Sequence, residues 1–280
     1  MRTLDARLFQ VAFQALLLTA GVLLRDFSLL PAQMALVLAS ATITQAFWLR
    51  FFGLRDVGYL SPLITGFGLA MLLRADSLWV HPLAALLAIS AKFLLRIRGK
   101  HVFNPANFGV GVALIVLPGA WVSPGQWGND IGIGVWLVAL GALVAQRARR
   151  DDAAWLFLAV FLGLTATRLF QLGYPVERGW DVFCHQALNG ALLLFAFFMI
   201  SDPMTLPDHP AARRFHVLLV AVAAFTWQFL FYRPNGALWA LLCLAPLVPL
   251  WDFLWPGNRH NWHGNKPLQT TPAKSGKIVR

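Results

Sequence analysis

Apolar residues run through this chain in blocks of about 17–20 positions, separated by short stretches that carry Arg, Asp, Gly and Pro. About 20 consecutive apolar residues carry a helix across the hydrocarbon core of a bilayer. Ten blocks approach that length, at about 8–24, 31–49, 57–73, 78–95, 105–122, 130–146, 153–170, 182–200, 214–232 and 236–255. They predict ten transmembrane helices. Pro31, Pro62, Pro105, Pro203, Pro234 and Pro256 fall at or near block ends, where a residue without an N–H starts or stops a helix. The first block has the apolar character of a secretory signal, but it lacks a convincing small-residue cleavage site and is expected to remain as a span.

Composition agrees with the pattern. Of 280 residues, 58% are hydrophobic and 12% charged, half the charge of an ordinary soluble domain (about 25%). That excludes a disordered, collagenous or disulfide-rich chain and argues against a soluble enzyme. The net charge of +11 would point to nucleic acid in a soluble protein. Here the cations sit in the gaps between apolar blocks. With the N-terminus in the cytoplasm, 17 Lys and Arg fall on the inside and 5 on the outside, with Lys92 within the fourth block. This asymmetry predicts a multi-pass protein of the cell inner membrane with both termini cytoplasmic, solvated by membrane lipid and with no nucleic-acid partner. Cys184 and Cys243 lie inside apolar blocks without a CxxC, so neither a disulfide framework nor a metal site is expected.

Two blocks are interrupted. The third carries Ser61-Pro62 and Thr65-Gly66-Phe67-Gly68, and the eighth begins with His185-Gln186 and Asn189-Gly190. These are matching positions in two halves of five. The stretch 103–109 (FNPANFG) opens the fifth block and 232–236 (YRPNG) the tenth, a faint repeat. An odd number of spans per half forces the halves into opposite topology, and broken helices at matching places point to a site at the midplane. The expected organisation is a repeat over 1–125, a second over 126–257, and a basic cytoplasmic tail over 258–280.

The segment 98–109 (RGKHVFNPANFG) carries the most chemistry. Asn104 can cap a helix that Pro105 starts. Gly99 and Lys100 then lie beside a helix N-terminus, where free N–H groups favour an anion or a ring carbonyl. A capped helix with ordinary cytoplasmic cations explains the same residues. Asp202, before Pro203, could attract a cation or anchor its loop to Arg213-Arg214. Asp252 sits near the inner end of the tenth block, where an ionisable group is costly unless it reaches water. Lys92 is expected to snorkel to the same face. The 123–129 segment (SPGQWGN) reads as a surface turn with Trp127 at the interface, and His260 and His263 read as solvated tail residues.

Three stretches together resemble the NqrB/RnfD family, membrane subunits of the sodium-pumping NADH:quinone oxidoreductase and of the Rnf electron-transport complex. Gly99-Lys100 with Phe103-Asn104-Pro105-Ala106 resembles its GK-x-x-x-NPA segment. The run 198–205 (FMISDPMT) resembles its FMxTDPVT segment, and Pro234-Asn235-Gly236 with Pro249-Leu250-Trp251-Asp252 its PEG…PLxD ending. The resemblance implies an all-α, urea-transporter-like fold of ten spans in two inverted five-helix repeats, the third and eighth helices interrupted. It also implies flavin-dependent electron transfer coupled to cation movement, beside other membrane subunits and with quinone as a further partner. On it, Gly99, Lys100, Asn104, Asn107, Asp202 and Thr205 are candidate cofactor contacts, with Asp202 and Asp252 on an ion pathway. Family members carry an FMN esterified to a threonine of an SGAT-type motif. The corresponding loop here, Pro118–Asp130, holds Ser123-Pro124-Gly125 and no threonine, so a noncovalent flavin (FMN or riboflavin) is expected in place of covalent FMN. The family's larger N-terminal extension is also missing from this sequence, as expected of a divergent branch.

Three functions follow in order: an electron-transport subunit, a non-redox transporter or channel for a small solute or cation, and a scaffold without turnover of its own.

Overall fold

The computed structural model describes residues 5–24, 29–54, 58–123, 127 and 131–260. The boundary expected near 125 and the tail beyond His260, with His263, lie outside the described residues.

Proline and asparagine set most helix starts. Pro31, Pro105 and Pro210 each occupy the first turn, where a missing N–H costs nothing. Asn104 Oδ1 accepts the Asn107 N–H at 3.0 Å, and Asn189 Oδ1 accepts those of Ala191 (3.0 Å) and Leu192 (3.2 Å). The helices are α1 (Ala6–Leu24), α2 (Pro31–Phe51), α3 (Leu60–Leu72), α4 (Val80–Leu94), α5 (Pro105–Val116), α6 (Ile131–Arg147), α7 (Asp151–Gln171), α8 (Val176–Ala187), α9 (Gly190–Leu194), α10 (Pro210–Phe225), α11 (Gly236–Leu244) and α12 (Val248–Leu254). Single π-turns extend α9 over Phe195–Met199 and α10 over Thr226–Leu230. A 3-10 turn at Ala245–Leu247, containing Pro246, joins α11 to α12.

Two small antiparallel ladders accompany the helices. Strand β1 (Leu73–Ala75) pairs with β4 (Ala120–Val122), with Arg74 opposite Trp121. Strands β2 (Arg96–Ile97) and β3 (Lys100–His101) form a hairpin. Its turn residues Arg98 (φ 50°) and Gly99 (φ 76°) are both left-handed, as a two-residue turn that follows strand twist requires.

The apolar blocks and the helices coincide closely, with two corrections. The fifth block does not stay helical to 122, because α5 stops at Val116 and β4 takes the remainder. The third helix is not broken internally. Pro62 lies in the first turn of α3, which then runs unbroken for 13 residues, about 20 Å at 1.5 Å each. The eighth is broken as expected: α8 and α9 meet at Leu188-Asn189 with a 45° bend.

The protein is therefore α-helical and, among the described residues, has three helices long and apolar enough to cross a membrane: Pro31–Phe51, Asp151–Gln171 and Gly236–Leu254. The bent α8–α9 pair is a fourth if taken as one span. Five further apolar helices are shorter, at 10–17 residues.

Packing follows a regular order. Helix α2 packs on α4, α4 on α5, and α1 on α3; later in the chain α7 packs on α10, α10 on α11, and α6 on α9. Contacts of α1 with α6 and of α5 with α11 join the two sets. Small residues permit the closest approaches, as at membrane helix interfaces generally. A Cβ on Gly141 of α6 would lie 2.5 Å from the Phe197 Cβ, so only glycine fits there.

Candidate functional site

Trp127 links the end of α3 to the start of α9, and two cavities lie beside these helices, one of them lined along α3 from Ser61 to Leu72. Its indole N–H donates to the Met71 carbonyl at 3.3 Å, and its side chain abuts Gly190 at the start of α9. Trp127 is buried, which corrects its expected place on a surface turn.

A cavity of about 300 Å³ runs along α3, walled by Ile64, Leu72, Phe197 and Phe198 and polar at Ser61, Lys92, Asn104 and Asp202. Lys92, on the last turn of α4, donates to Gln45 Oε1 of α2 at 2.6 Å and to Ser61 Oγ of α3 at 2.5 Å. It is buried and turned inward, so the expected snorkelling does not occur. Asp202 accepts the Met204 N–H at 2.9 Å and the Asn104 amide at 3.2 Å. Burial raises the Asp202 pKa, against the pull of the Met204 N–H, Lys92 and Asn104.

Several polar groups face this cavity without a protein partner. Gln14 (2% exposed) leaves Oε1 unpaired, and buried His101 leaves Nδ1 unpaired. Buried polar atoms are normally satisfied, so each unsatisfied one calls for an explanation such as a ligand or water. Burial, with Lys92 and Arg96 nearby, lowers the His101 pKa to about 3, so the imidazole is neutral. Lys92 and Arg96 outnumber Asp202, and Arg7, also on the wall, pairs with Asp5 at 2.6 Å. The cationic side chains favour acceptors on a ligand while the unpaired Gln14 Oε1 calls for a donor, so the lining fits a ligand that carries both.

The sequence candidates divide. Asn104 and Asp202 line the cavity together. Thr205 lies behind them, its hydroxyl donating to the Asp202 carbonyl at 3.4 Å. Asn107 turns away and donates to the Leu238 carbonyl of α11 at 3.1 Å. Lys100 belongs to a separate cluster: its ammonium meets Leu206 O at 2.6 Å, Asp252 Oδ2 at 2.7 Å and Asp208 Oδ1 at 3.1 Å. Asp252 also accepts the Asp208 N–H at 2.7 Å. Two hydrogen bonds, to Leu206 O and Asp252 Oδ2, and the ion pair with Asp208 hold the ammonium, so Lys100 clamps the hairpin to the segments carrying Leu206, Asp208 and Asp252. Gly99, in the hairpin turn, faces the Arg259 guanidinium. Sequence reasoning missed Gln14, Ser61 and His101 as site residues. The one legible signal was Lys92, a cation inside an apolar block.

The second cavity is larger, about 490 Å³, and is lined by Gln186, Asn189, Gln228, Arg233 and Asn235 over an apolar floor that includes Leu72. Leu72 borders both cavities.

No protein-family model and no curated protein matches this chain.

Proposed function

We propose that this chain is a membrane electron-transport subunit of the NqrB/RnfD kind, built as two inverted halves of five membrane segments each, the eighth being the short α9 with its π-turn, and that the Lys92 cavity holds a noncovalent flavin or a quinone. The reading is supported first by the unpaired Gln14 and His101 atoms, which line an apolar-walled cavity beside a buried ammonium. A volume of about 300 Å³ is at the small end of the range for cofactor sites, about 300–1,000 Å³, enough for one flat ring system. The inverted-repeat reading draws on the two matching packing orders, α1 to α5 and α6 to α11, with α1 meeting α6 and α5 meeting α11.

The bound group would supply the electron transfer itself. The chain's residues bind and orient it. Lys92, fixed by Gln45 and Ser61, presents its remaining proton to a ring carbonyl and favours negative charge there. The Phe197–Phe198 wall excludes water. Asp202, held by Asn104, tempers the cationic field. Protein purified from its native membrane is expected to show a flavin or quinone spectrum that acid precipitation releases from the chain. The absence of both pigments, with quinone reduction unchanged on deletion of the gene, overturns the proposal.

One observation favours the transporter or channel alternative: the two cavities share Leu72 as a common wall. Solute or cation flux in proteoliposomes without any electron donor would select it.

A further inference from the structure

Helix α8 has no buried residue. Most of its apolar side chains nevertheless fall on one face: Val176, Trp180, Phe183, Cys184 and Ala187 recur at helical spacing, while Glu177, Arg178, Asp181 and His185, with Val182, lie away from it. Val176 is 89% exposed and Trp180 63% exposed. The Trp180 and Phe183 rings stack, with centroids 5.8 Å apart. The apolar face continues onto the end of α7, where Phe170 (86% exposed), Leu172 and Tyr174 are also uncovered. Helix α7 is one of the three helices able to cross a membrane, so this surface is contiguous with one that meets lipid.

We infer that α8 is an interfacial helix lying along the membrane surface at the end of α7. Its Val176–Trp180–Phe183 face sits at the boundary between headgroups and acyl chains, and its Glu177–Asp181–His185 face is in water. Three features favour lipid over a protein partner. Exposed apolar residues follow one another from the end of a helix able to span, at Phe170, Leu172 and Tyr174, into α8, which contacts that helix. Trp and Tyr, the residues enriched at membrane interfaces, lie along its line. The 45° bend from α9 releases α8 from the direction of the helix that follows. The polar face carries two carboxylates and one guanidinium, so attraction to anionic headgroups does not hold it. Apolar burial does, which separates α8 from basic amphipathic anchors. Docking would also hold Gln186, near the helix end, at the rim of the larger cavity.

The test uses the full chain with Cys184→Ser and Cys243→Ser, carrying one nitroxide at a time through Val176→Cys, Arg178→Cys, Trp180→Cys, Asp181→Cys or Phe183→Cys. Each protein is reconstituted in phosphatidylcholine vesicles, and spin relaxation by oxygen and by a water-soluble nickel chelate is compared. All five positions are at least partly exposed, so a label does not displace the core. Labels at 176, 180 and 183 are expected to favour oxygen at one common shallow depth, about 5–10 Å below the headgroups. Labels at 178 and 181 are expected to favour nickel, and adding anionic lipid or salt leaves all five unchanged. Nickel access at every position places α8 in water and overturns the inference. Depth that grows steadily from 176 to 183 makes α8 part of a span and overturns it. Shielding of 176, 180 and 183 from both reagents shows a protein cover, a second copy in this preparation, and overturns it too.

Discussion

The Asn104 side chain holds two segments 98 residues apart: its Oδ1 caps α5 at Asn107, and its Nδ2 donates to Asp202 Oδ2 at 3.2 Å. One amide therefore both starts a helix and orients the carboxylate of the cavity. Asn104→Ala removes the cap, about 1 kcal/mol, and deprives a buried carboxylate of a donor, about 1–3 kcal/mol. Thermal unfolding in detergent should show the combined loss. Asn104→Ser, which can still cap, should recover only the first part; equal stability of both variants would refute the dual role.

Lys92→Met keeps the length of the side chain and removes the ammonium that Gln45 and Ser61 hold. The proposed site then loses its central donor. Bound flavin or quinone should fall about tenfold or more, which corresponds to about 1.4 kcal/mol, while the protein remains monodisperse. Undiminished pigment in a folded variant would remove Lys92 from the site.

Lys100 contributes to stability rather than to ligand binding. Its side chain and that of Asp252 are 9% and 13% exposed, and breaking a buried pair on one side costs about 3–5 kcal/mol. Lys100→Met should lower the unfolding midpoint sharply. Adding Asp208→Asn and Asp252→Asn should restore much of it, because no uncompensated charge remains. Unchanged stability in the single variant would contradict the clamp.

Acid should destabilise the protein through His101. Burial beside Lys92 and Arg96 lowers its pKa from 6.5 to about 3. Between those values the unfolded chain binds a proton that the folded chain refuses, so stability rises with pH across that interval. The contribution is complete above pH 6.5 and is lost as pH falls toward 3. His101→Gln should flatten the acid side of the stability profile relative to the unmodified protein, measured by unfolding midpoints from pH 7 to 4. Parallel profiles would show that His101 is not the group responsible.

Helix positions were legible because long continuous apolar runs mark them, and Pro31 and Pro105 mark where two of them begin, whereas α10 starts at Pro210, four residues before its apolar block. The break before Asn189 was legible for the same reason, as polar residues interrupt a run. The early stop of α5 is marked by Pro118-Gly119, which the apolar count passed over, but the strand after it was not legible, because only pairing with Leu73–Ala75 makes Ala120–Val122 extended. Trp127 was misread because composition around it is turn-like, while its burial depends on Gly190, far along the chain.

The sequence by itself determined the helical class, the apolar character and most element ends, all of which depend on neighbours a few residues away. Tertiary structure decided the site. Asn104 and Asp202 were visible as candidates, but Lys100 was assigned to ligand binding when Leu206 O and Asp252 take its hydrogen bonds and Asp208 pairs with its charge. Lys92 was expected at the surface when Gln45 and Ser61 draw it inward. A charged side chain at membrane depth goes wherever its partners are. Those partners come from other helices, whose relative placement is settled by packing and carries no local signature.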